Sequence, residues 1–219
     1  MSKTWPMRYL LARLKLGFDE TLAQMQTTTA TLPVAFQKGL EAYRKELTRV
    51  IYQAGSSMAP VLNAKALTDP DAKEKLLLRV FPRPSFNSLY TGDIVALQSP
   101  LSAQQQVLVR RLAAVEGEEM VSDDPDLESW SLPENHCWVL SETATFKPDA
   151  PTDIDSRTFG PLPIENIIGR VIYQATSVTE HGPTSNTPEA MADDAAVLDA
   201  ELDLESFCNH TSTKDSQTS

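Results

Sequence analysis

Short apolar runs separated by turn-forming residues fill the chain after Gly55, and they constrain the fold more than any other feature. Proline, glycine or aspartate bounds each run. Runs of this kind are typical of β-strands, because helices need longer segments with a three-to-four-residue period. The predicted strands are 76–81, 93–97, 107–115, 136–140 and 167–173. Residues 53–175 are therefore predicted to form a mainly β domain.

The first part of the chain has helical periodicity instead. Apolar residues recur at helical spacing over 18–52, with an interruption at the Thr-rich residues 27–32 and Pro33, so two helices are predicted there. Residues 1–17 are amphipathic and contain basic but no acidic side chains. This pattern fits an organellar presequence, a helix on an anionic membrane surface or an ordinary helix packed on the core. The sequence leaves these three alternatives open.

The charge is distributed unevenly. The formal net charge is -11, yet residues 1–50 carry eight basic and four acidic side chains, so the later residues together carry -15. Such an acidic body argues against nucleic acid as a partner. Residues 176–219 are acidic and rich in polar residues, and they are predicted to form a flexible tail, disordered by itself. One short apolar stretch within 197–207 is expected to be able to dock as an amphipathic segment.

Two further classes of protein are disfavoured. No uninterrupted apolar run reaches the roughly 18 residues that a membrane span needs, so a peripheral protein is expected. Cys137 and Cys208 are too few for a disulfide framework and lack the spacing of a metal site. Neither a metal nor a cofactor is predicted.

A serine on a tight turn is the best candidate for chemistry. Residues 55–60 read Gly-Ser-Ser-Met-Ala-Pro. Here Ser57 would be the nucleophile, Met58 an apolar wall for an extended peptide, and Pro60 a constraint on the following backbone. Small residues before Met and Pro also occur in many ordinary loops. The turn alone therefore does not assign a function.

Five more segments follow the turn in a fixed order: 92–97, 107–115, 138–141, 155–161 and 168–172. Together with the Ser57-Met58 pair they resemble the conserved boxes of the signal peptidase I family, over about residues 51 to 175 of this chain. The amino-acid sequences of 109–117 and 181–183 are most similar to those of mitochondrial inner membrane protease-like proteins of the plant and green-algal type. The resemblance implies an antiparallel β fold, a serine nucleophile with a lysine base, and cleavage of targeting peptides after small residues. It also implies a mitochondrial location at the inner membrane, with the plastid as the alternative.

The position of the general base is the main departure from this family. Arg110 stands where bacterial and mitochondrial members have lysine and endoplasmic reticulum members have histidine. A lysine must lower its pKa from about 10.4 to near 8, and burial supplies the necessary 3 to 4 kcal/mol or so. Arginine starts above about 12.5, so the same change costs upwards of about 6 kcal/mol. Arg110 is therefore predicted not to accept the Ser57 proton.

The polar residues around the base position depart from the family as well. Many members have a serine that orients the lysine two residues before the aspartate of the Asp155-Ser156-Arg157 segment, and Asp153 occupies that position here. If the segments superpose, Asp153 and Arg110 form a charge-assisted pair where the catalytic dyad would lie. Asp155 and Arg157 are expected to brace the site through an ion pair. Residues 141–143 replace the family's Gly-Asp-Asn turn.

Other side chains are weak candidates for the base, which must lie within hydrogen-bond reach of the nucleophile. His136 belongs to a predicted strand, where family members often carry a histidine without a catalytic role, and His181 and His210 belong to the predicted tail. The lysines outside the matching segments are expected to be solvated. They are Lys73, Lys75 and Lys147.

Two functional hypotheses follow. In the first, the protein is a degenerate, noncatalytic subunit at the mitochondrial inner membrane, with a groove that still binds an extended segment by strand addition. In the second, it is a serine endopeptidase that removes targeting peptides with an unrecognised base or one donated by a partner subunit. The expected partners are presequence-like peptides and subunits of an inner-membrane protease or import complex, with the membrane surface as a further candidate. The chemistry of arginine favours the first hypothesis.

Overall fold

The structure is a computed structural model that describes residues 5–27, 31–101, 106–121, 128–143 and 154–209. Its strands are β1 (Thr48–Ala54), β2 (Lys73–Val80), β3 (Ile94–Gln98), β4 (Val107–Ala114), β5 (Glu119–Met120), β6 (Trp130–Ser131), β7 (His136–Leu140), β8 (Leu162–Pro163), β9 (Ile167–Ala175) and β10 (His181–Pro183). Its α-helices are α1 (Met7–Thr27), α2 (Leu32–Arg44), α3 (Ser156–Phe159), α4 (Pro188–Glu201) and α5 (Leu204–Asn209).

One antiparallel sheet holds most of the strands. Its order is β1-β2-β9-β3-β4-β7-β8, and β10 pairs antiparallel with β9 in the same sheet. Strands β5 and β6 form a small separate pair. The five predicted strands correspond to β2, β3, β4, β7 and β9. The predicted mainly β, antiparallel fold with N-terminal helices is therefore confirmed.

Alternation along β2 divides the core between the two faces of the sheet. Leu76 and Leu78 belong to a buried cluster that also contains Met58, whereas Leu77 packs in a different cluster with Phe207 of α5. Successive side chains of a strand point to opposite faces, so this division follows from the strand period of two. The turn that carries Ser57 lies on the Leu76 face, and the C-terminal helix α5 lies on the other.

The predicted helical segment 18–52 is wrong for its last residues. Residues 48–52 belong to β1, which pairs along its whole length with β2, from Thr48 opposite Arg79 to Ala54 opposite Lys73. The apolar spacing of this short stretch fits a helix as well as a strand, and pairing with a buried strand decides between them. The helices α1 and α2 agree with the prediction for 18–44, and Pro33 lies in the first turn of α2, where it is tolerated.

An antiparallel hairpin of α1 and α2 precedes the sheet. The two helices approach closely at Gly17 and Gly39: a Cβ atom on Gly17 would lie 2.9 Å from the Gly39 carbonyl oxygen. Helix α1 runs without a break across the predicted boundary after residue 17, and Tyr9 near its start is fully buried. Of the three alternatives for residues 1–17, the structure thus shows a helix that packs on the rest of the chain on one side.

Order in the acidic C-terminal segment extends further than the predicted boundary at residue 176. The structure describes β10, α4 and α5 in this segment, and only 210–219 lie outside the described residues. The predicted apolar stretch does dock, since Val197 and Phe207 are buried in clusters with other elements. Composition predicted a flexible tail because it does not show which partners bind the acidic side chains of this segment.

Two arginines of the sheet are such partners, of which Arg170 is buried and Arg79 is partly buried. The Arg170 guanidinium binds Asp93 at 2.8 Å and Asp194 of α4 at 2.7 Å, and the Asp194 carboxylate also lies 3.8 Å from Arg79. At the end of α4, the Glu201 carboxylate accepts hydrogen bonds from the Tyr9 hydroxyl and from the backbone of Leu47. Helix α4 is thereby tied both to the sheet and to the N-terminal hairpin.

Replacing Asp194 tests this tie. Asp194→Asn leaves the buried Arg170 with one carboxylate instead of two, so the free energy of unfolding should fall by about 3 kcal/mol. The exposed Asp199 on the same helix is the matched control, and Asp199→Asn should change stability by less than about 0.5 kcal/mol. Urea unfolding measures both. Equal effects of the two substitutions would contradict a structural role for the Arg170 cluster.

Candidate active site

The turn after β1 positions Ser57. Strand β1 ends at Ala54, and Gly55 takes a positive φ of 76°, which glycine adopts without strain. Met58 is fully buried beneath the sheet and anchors the turn, while Ser57 itself is 4% exposed. The Ser57 hydroxyl is therefore held in the interior by the residues around it.

Strand β4 brings Arg110 to the same place. Arg110 lies opposite Val95 of β3 and is 1% exposed. Its Nη1 atom donates hydrogen bonds to Ser57 Oγ at 3.1 Å and to the Val109 carbonyl at 2.6 Å, and its Nε atom donates to the Ile154 carbonyl at 2.8 Å. The two residues at the predicted nucleophile and base positions are thus in direct contact.

Gln53 is a second neighbour of the hydroxyl and was not predicted. Its Nε2 atom donates to Ser57 Oγ at 3.3 Å and to the Ala54 carbonyl at 3.1 Å. No motif marks Gln53. The structure places it in β1, where it shares a sheet face with Ile51 and its side chain reaches the turn.

These contacts determine what the hydroxyl can do. A serine becomes a nucleophile when a neighbouring group accepts its proton. Within the described residues, the two side chains bonded to Ser57 Oγ, those of Arg110 and Gln53, both donate to it. Arginine stays protonated in proteins, and a side-chain amide nitrogen is not a base. The observed contacts hold the hydroxyl in place and do not activate it.

A carboxylate brace lies beside the pair. Asp155 is fully buried and accepts hydrogen bonds from the Ser141 hydroxyl at 3.0 Å and from Arg157 Nη2 at 2.6 Å. It also caps α3 by accepting from the Arg157 backbone at 2.9 Å. Burial alone would raise the pKa of Asp155, but the hydrogen bonds from Arg157 and Ser141 outweigh it and hold the pKa below its usual value.

The end of β7 is fastened directly to the serine. The Glu142 backbone donates to the Ser57 carbonyl at 2.9 Å, and the Thr143 hydroxyl donates to the same oxygen at 3.2 Å. The Glu142 carboxylate in turn pairs with Arg111. The residues that replace the family's Gly-Asp-Asn turn therefore connect β4, β7 and the Ser57 turn through side chains.

An open groove of about 200 Å³ runs past Ser57. Its lining residues come from the end of β1 and the start of β4: Tyr52, Gln53, Ala54, Ser57, Gln106, Val107, Leu108, Val109 and Arg110. In the described part of the chain, β1 pairs only with β2, and β7 pairs with β4 only from Arg111 onward. Two strand edges therefore border the groove with backbone groups that the sheet does not use.

Comparison with known proteins identifies the family. The chain is 39% identical over 166 residues to mitochondrial ATP-independent inner membrane protease subunit 2 of Arabidopsis thaliana, which covers 75% of this chain and 76% of that protein. It is 28% identical over 143 residues to subunit 1b of the same organism, covering 63% of this chain and 75% of the relative. Mitochondrial inner membrane protease subunit 1 of Xenopus tropicalis matches at 24% over 112 residues, 50% of this chain and 63% of the relative.

This chain belongs to the mitochondrial inner membrane protease family. The predicted resemblance to signal peptidase I-like proteins is confirmed by this membership, and so is the predicted mitochondrial location at the inner membrane. No family model matches the chain. Within the ranges that the structure describes, no helix is long and apolar enough to cross a bilayer.

Not every predicted site residue reaches the groove of this inner membrane protease relative. Met58 packs entirely in the core, and Pro60 borders a separate cavity with Asn63 and Glu74. Neither lines the groove beside Ser57. Asp153, the predicted partner of Arg110, lies outside the described residues, although the adjacent Ile154 accepts a hydrogen bond from the guanidinium. The roles of these three residues stay predictions.

The remaining candidates for a base lie elsewhere. His136 begins β7, and its Nδ1 atom contacts the Glu134 carbonyl at 2.8 Å. Because Arg111 lies opposite Leu140 at the other end of β7, His136 is displaced from Arg110 by about 16 Å along the strand. His181 is in β10 and contacts the Tyr173 hydroxyl at 2.8 Å. His210 and Lys147 lie outside the described residues.

Lys75 corrects the prediction that the outlying lysines are solvated. It is 5% exposed, and its Nζ atom donates to the Phe207 carbonyl at 2.7 Å on the α5 side of the sheet. Burial lowers its pKa. Since Ser57 lies on the opposite face, the low pKa does not make Lys75 a base for it. Lys73 is exposed, as predicted.

The Asp155 brace gives stability a defined pH dependence. A depressed folded-state pKa means that the carboxylate stabilises the protein above its unfolded pKa of about 3.9, and that this stabilisation is lost as the pH falls further. Asp155→Asn should therefore lower the free energy of unfolding by about 2 kcal/mol at neutral pH. The difference from wild type should shrink below about pH 4.

Urea unfolding from neutral pH into acid measures this, with the exposed Asp71→Asn as control. A difference that stays constant into acid would mean that the carboxylate charge contributes nothing to the brace.

Proposed function

We propose that the protein is a noncatalytic, peptide-binding subunit of an inner membrane protease assembly, with a role linked to presequence processing. One observation carries the proposal: the buried Arg110 guanidinium donates a hydrogen bond to the hydroxyl of Ser57 at 3.1 Å. A catalytic dyad requires the opposite direction of proton sharing, in which the base accepts from the serine. Membership of the family supports the location at the mitochondrial inner membrane. The arginine at the base position supports the loss of peptide-bond cleavage.

The buried environment strengthens this interpretation. Removing a proton from Arg110 would have to overcome a starting pKa far above that of lysine, and guanidinium groups remain charged even when buried. Its Nε and Nη1 donors already bind the carbonyls of Ile154 and Val109, which stabilise the charged form. The arrangement is that of a structural cation, which holds β4, the Ser57 turn and the segment that leads into α3 together.

Asp153 is proposed as the anionic partner of Arg110. The carbonyl of its neighbour Ile154 accepts a hydrogen bond from Arg110 Nε at 2.8 Å. An ion pair would require only that the Asp153 side chain face the same guanidinium. An aspartate there would satisfy the buried charge by a charge-assisted hydrogen bond. It would also oppose deprotonation of any cation at this position, including a lysine introduced by mutation.

The groove supports peptide binding. An extended peptide could add beside the edge of β1 near Ala54 or beside β4 at Val107 to Val109, and its backbone would then hydrogen-bond to strand groups that pair with no other strand in the described residues. Backbone pairing gives affinity with little dependence on sequence. Side chains that enter the shallow groove, which Ala54 and Val109 help to line, would be selected for small size. A presequence-like segment or an extended segment of a partner subunit meets these requirements.

An assembly partner is proposed from the relatives. The similar proteins are named as subunits of inner membrane proteases. A chain that keeps the fold and groove but not the base would contribute binding or stability to an active subunit. A subunit of the protein import complex is the alternative protein partner.

A second candidate function is serine endopeptidase activity with a base supplied by a partner subunit. One observation favours it: Ser57 borders the groove, and the buried Asp155 carboxylate pairs with Arg157. Loss of the general base alone costs about two to four powers of ten in rate, so a serine held in this turn could retain weak activity.

Cleavage of a presequence peptide with small residues before the cut separates the two functions. Purified protein, alone and with mitochondrial membrane extract, is compared with Ser57→Ala in each condition. The proposal predicts no Ser57-dependent cleavage and unchanged peptide binding in Ser57→Ala. Cleavage by wild type that Ser57→Ala abolishes would contradict the noncatalytic role and support the endopeptidase.

Arg110→Lys tests the cause. A lysine at this position can lose its proton, so the variant, combined with Asp153→Ser, should gain peptide cleavage of about tenfold or more over wild type. Arg111→Lys is the matched control, because its side chain binds Glu142 and not Ser57. Equal inactivity of a folded Arg110→Lys/Asp153→Ser variant would mean that more than the base has been lost.

A further inference from the structure

The N-terminal hairpin exposes two rows of large apolar side chains. On α1 the row follows a helical period and its members are 40% to 75% exposed: Met7, Leu11, Leu14, Phe18, Leu22 and Met25. On α2 the exposed row is Leu32, Phe36 and Leu40. Soluble monomers rarely leave a contiguous apolar surface of this kind uncovered, so an interaction surface is expected.

Both rows lie on the same side of the hairpin. On α1, Tyr9, Ala12 and Leu16 pack against the body, and the exposed row is on the opposite side of the helix. Gly17 faces α2, where it meets Gly39. Counted at 100° per residue from the Gly17–Gly39 contact, each row is rotated in the same sense about its own helix axis. Because the two helices are antiparallel, equal rotation brings both rows to the same side of the hairpin. The hairpin therefore has an outer face, defined by the two rows, that points away from the sheet.

Basic side chains border this outer face. Arg8 and Lys15 lie along the edge of the α1 row, and Arg44 lies beyond the end of the α2 row; all three are exposed. Asp19 and Glu20, the acidic residues of α1, are partly buried, and Glu20 binds Arg83 at 2.8 Å. The first 50 residues carry a net positive charge, whereas the remainder of the chain is strongly negative. The apolar face is thus set in the one basic region of an acidic protein.

We propose that the outer face of the α1–α2 hairpin docks on an anionic lipid bilayer, with both helices in the plane of the interface. Helices that combine an apolar row with flanking lysine and arginine bind at the headgroup boundary, where the apolar side is buried and the cations contact lipid phosphates. The proposal deepens the assignment to the inner membrane by naming the surface. It does not depend on whether Ser57 cleaves peptides.

The composition of the outer face favours lipid over a protein partner. The hot spots of protein interfaces are enriched in tyrosine, tryptophan and arginine, and leucine, the commonest residue of this face, is under-represented among them. The centre of this face holds leucine, methionine and phenylalanine, and the cations stand only at its edges. The acidic body would be repelled from an anionic surface, so electrostatics turns the hairpin toward the bilayer.

Docking would also place the groove. Only three residues separate the end of α2 from β1, and β1 ends three residues before Ser57. The strand spans about 20 Å at its usual rise. The Ser57 groove would then lie no further from the docked hairpin than β1 and the three residues on either side of it can reach.

Vesicle flotation with the full-length protein tests the docking. Vesicles of phosphatidylcholine alone are compared with vesicles that also contain phosphatidylglycerol, and wild type should float with the anionic vesicles. Leu14→Gln combined with Phe18→Gln should reduce the bound fraction about tenfold or more, because two apolar side chains no longer enter the lipid. The matched control is Leu67→Gln with Leu101→Gln, which changes two equally exposed side chains outside the hairpin.

A charge variant completes the test. Lys15→Gln should weaken binding to anionic vesicles several-fold, about as expected for loss of one basic contact, and the exposed Lys73→Gln should not. Circular dichroism confirms that each variant is folded. Failure of wild type to float, or flotation that Leu14→Gln with Phe18→Gln leaves unchanged, would overturn the proposal. So would a stable dimer that covers the outer face, because a second copy would then be its occupant.

Discussion

The hydrogen bond from Arg110 to Ser57 joins β4 to the turn that follows β1. These two strands border the groove. Arg110 also binds the carbonyls of Val109 and Ile154, so one buried cation links β4, the Ser57 turn and the segment that leads into α3. A lysine could make fewer of these bonds, because its ammonium group lacks the planar fork of a guanidinium. The arginine at the predicted base position therefore makes structural connections of its own.

Buried arginines with defined partners recur elsewhere in the protein. Arg170 joins Asp93 of the sheet to Asp194 of α4, and Glu201 at the end of the same helix binds Tyr9 of the hairpin. The acidic C-terminal segment is thus ordered by cations that the sheet supplies. This arrangement connects the hairpin, the sheet and α4.

The sequence predicted five of the strands because turn residues bound each apolar run, and the family resemblance predicted their antiparallel arrangement. It predicted the contact of Ser57 with Arg110 only through the family, since the two residues are far apart in the chain. Residues 48–52 were assigned to a helix because short apolar runs fit both periods, and pairing with β2 decided the outcome. Gln53, Lys75 and Asp194 were missed or misplaced because each depends on a distant partner that composition does not reveal.

The charge on Arg110 is the property on which the proposed noncatalytic function depends. An NMR pH titration of the arginine Cζ carbons, with the Arg110 signal assigned by comparison with Arg110→Lys, measures it directly. A structural cation predicts a constant Arg110 signal from about pH 6 to about pH 10. A shift to the position of neutral guanidine within that range would show that Arg110 can accept a proton from Ser57, and it would contradict the central claim.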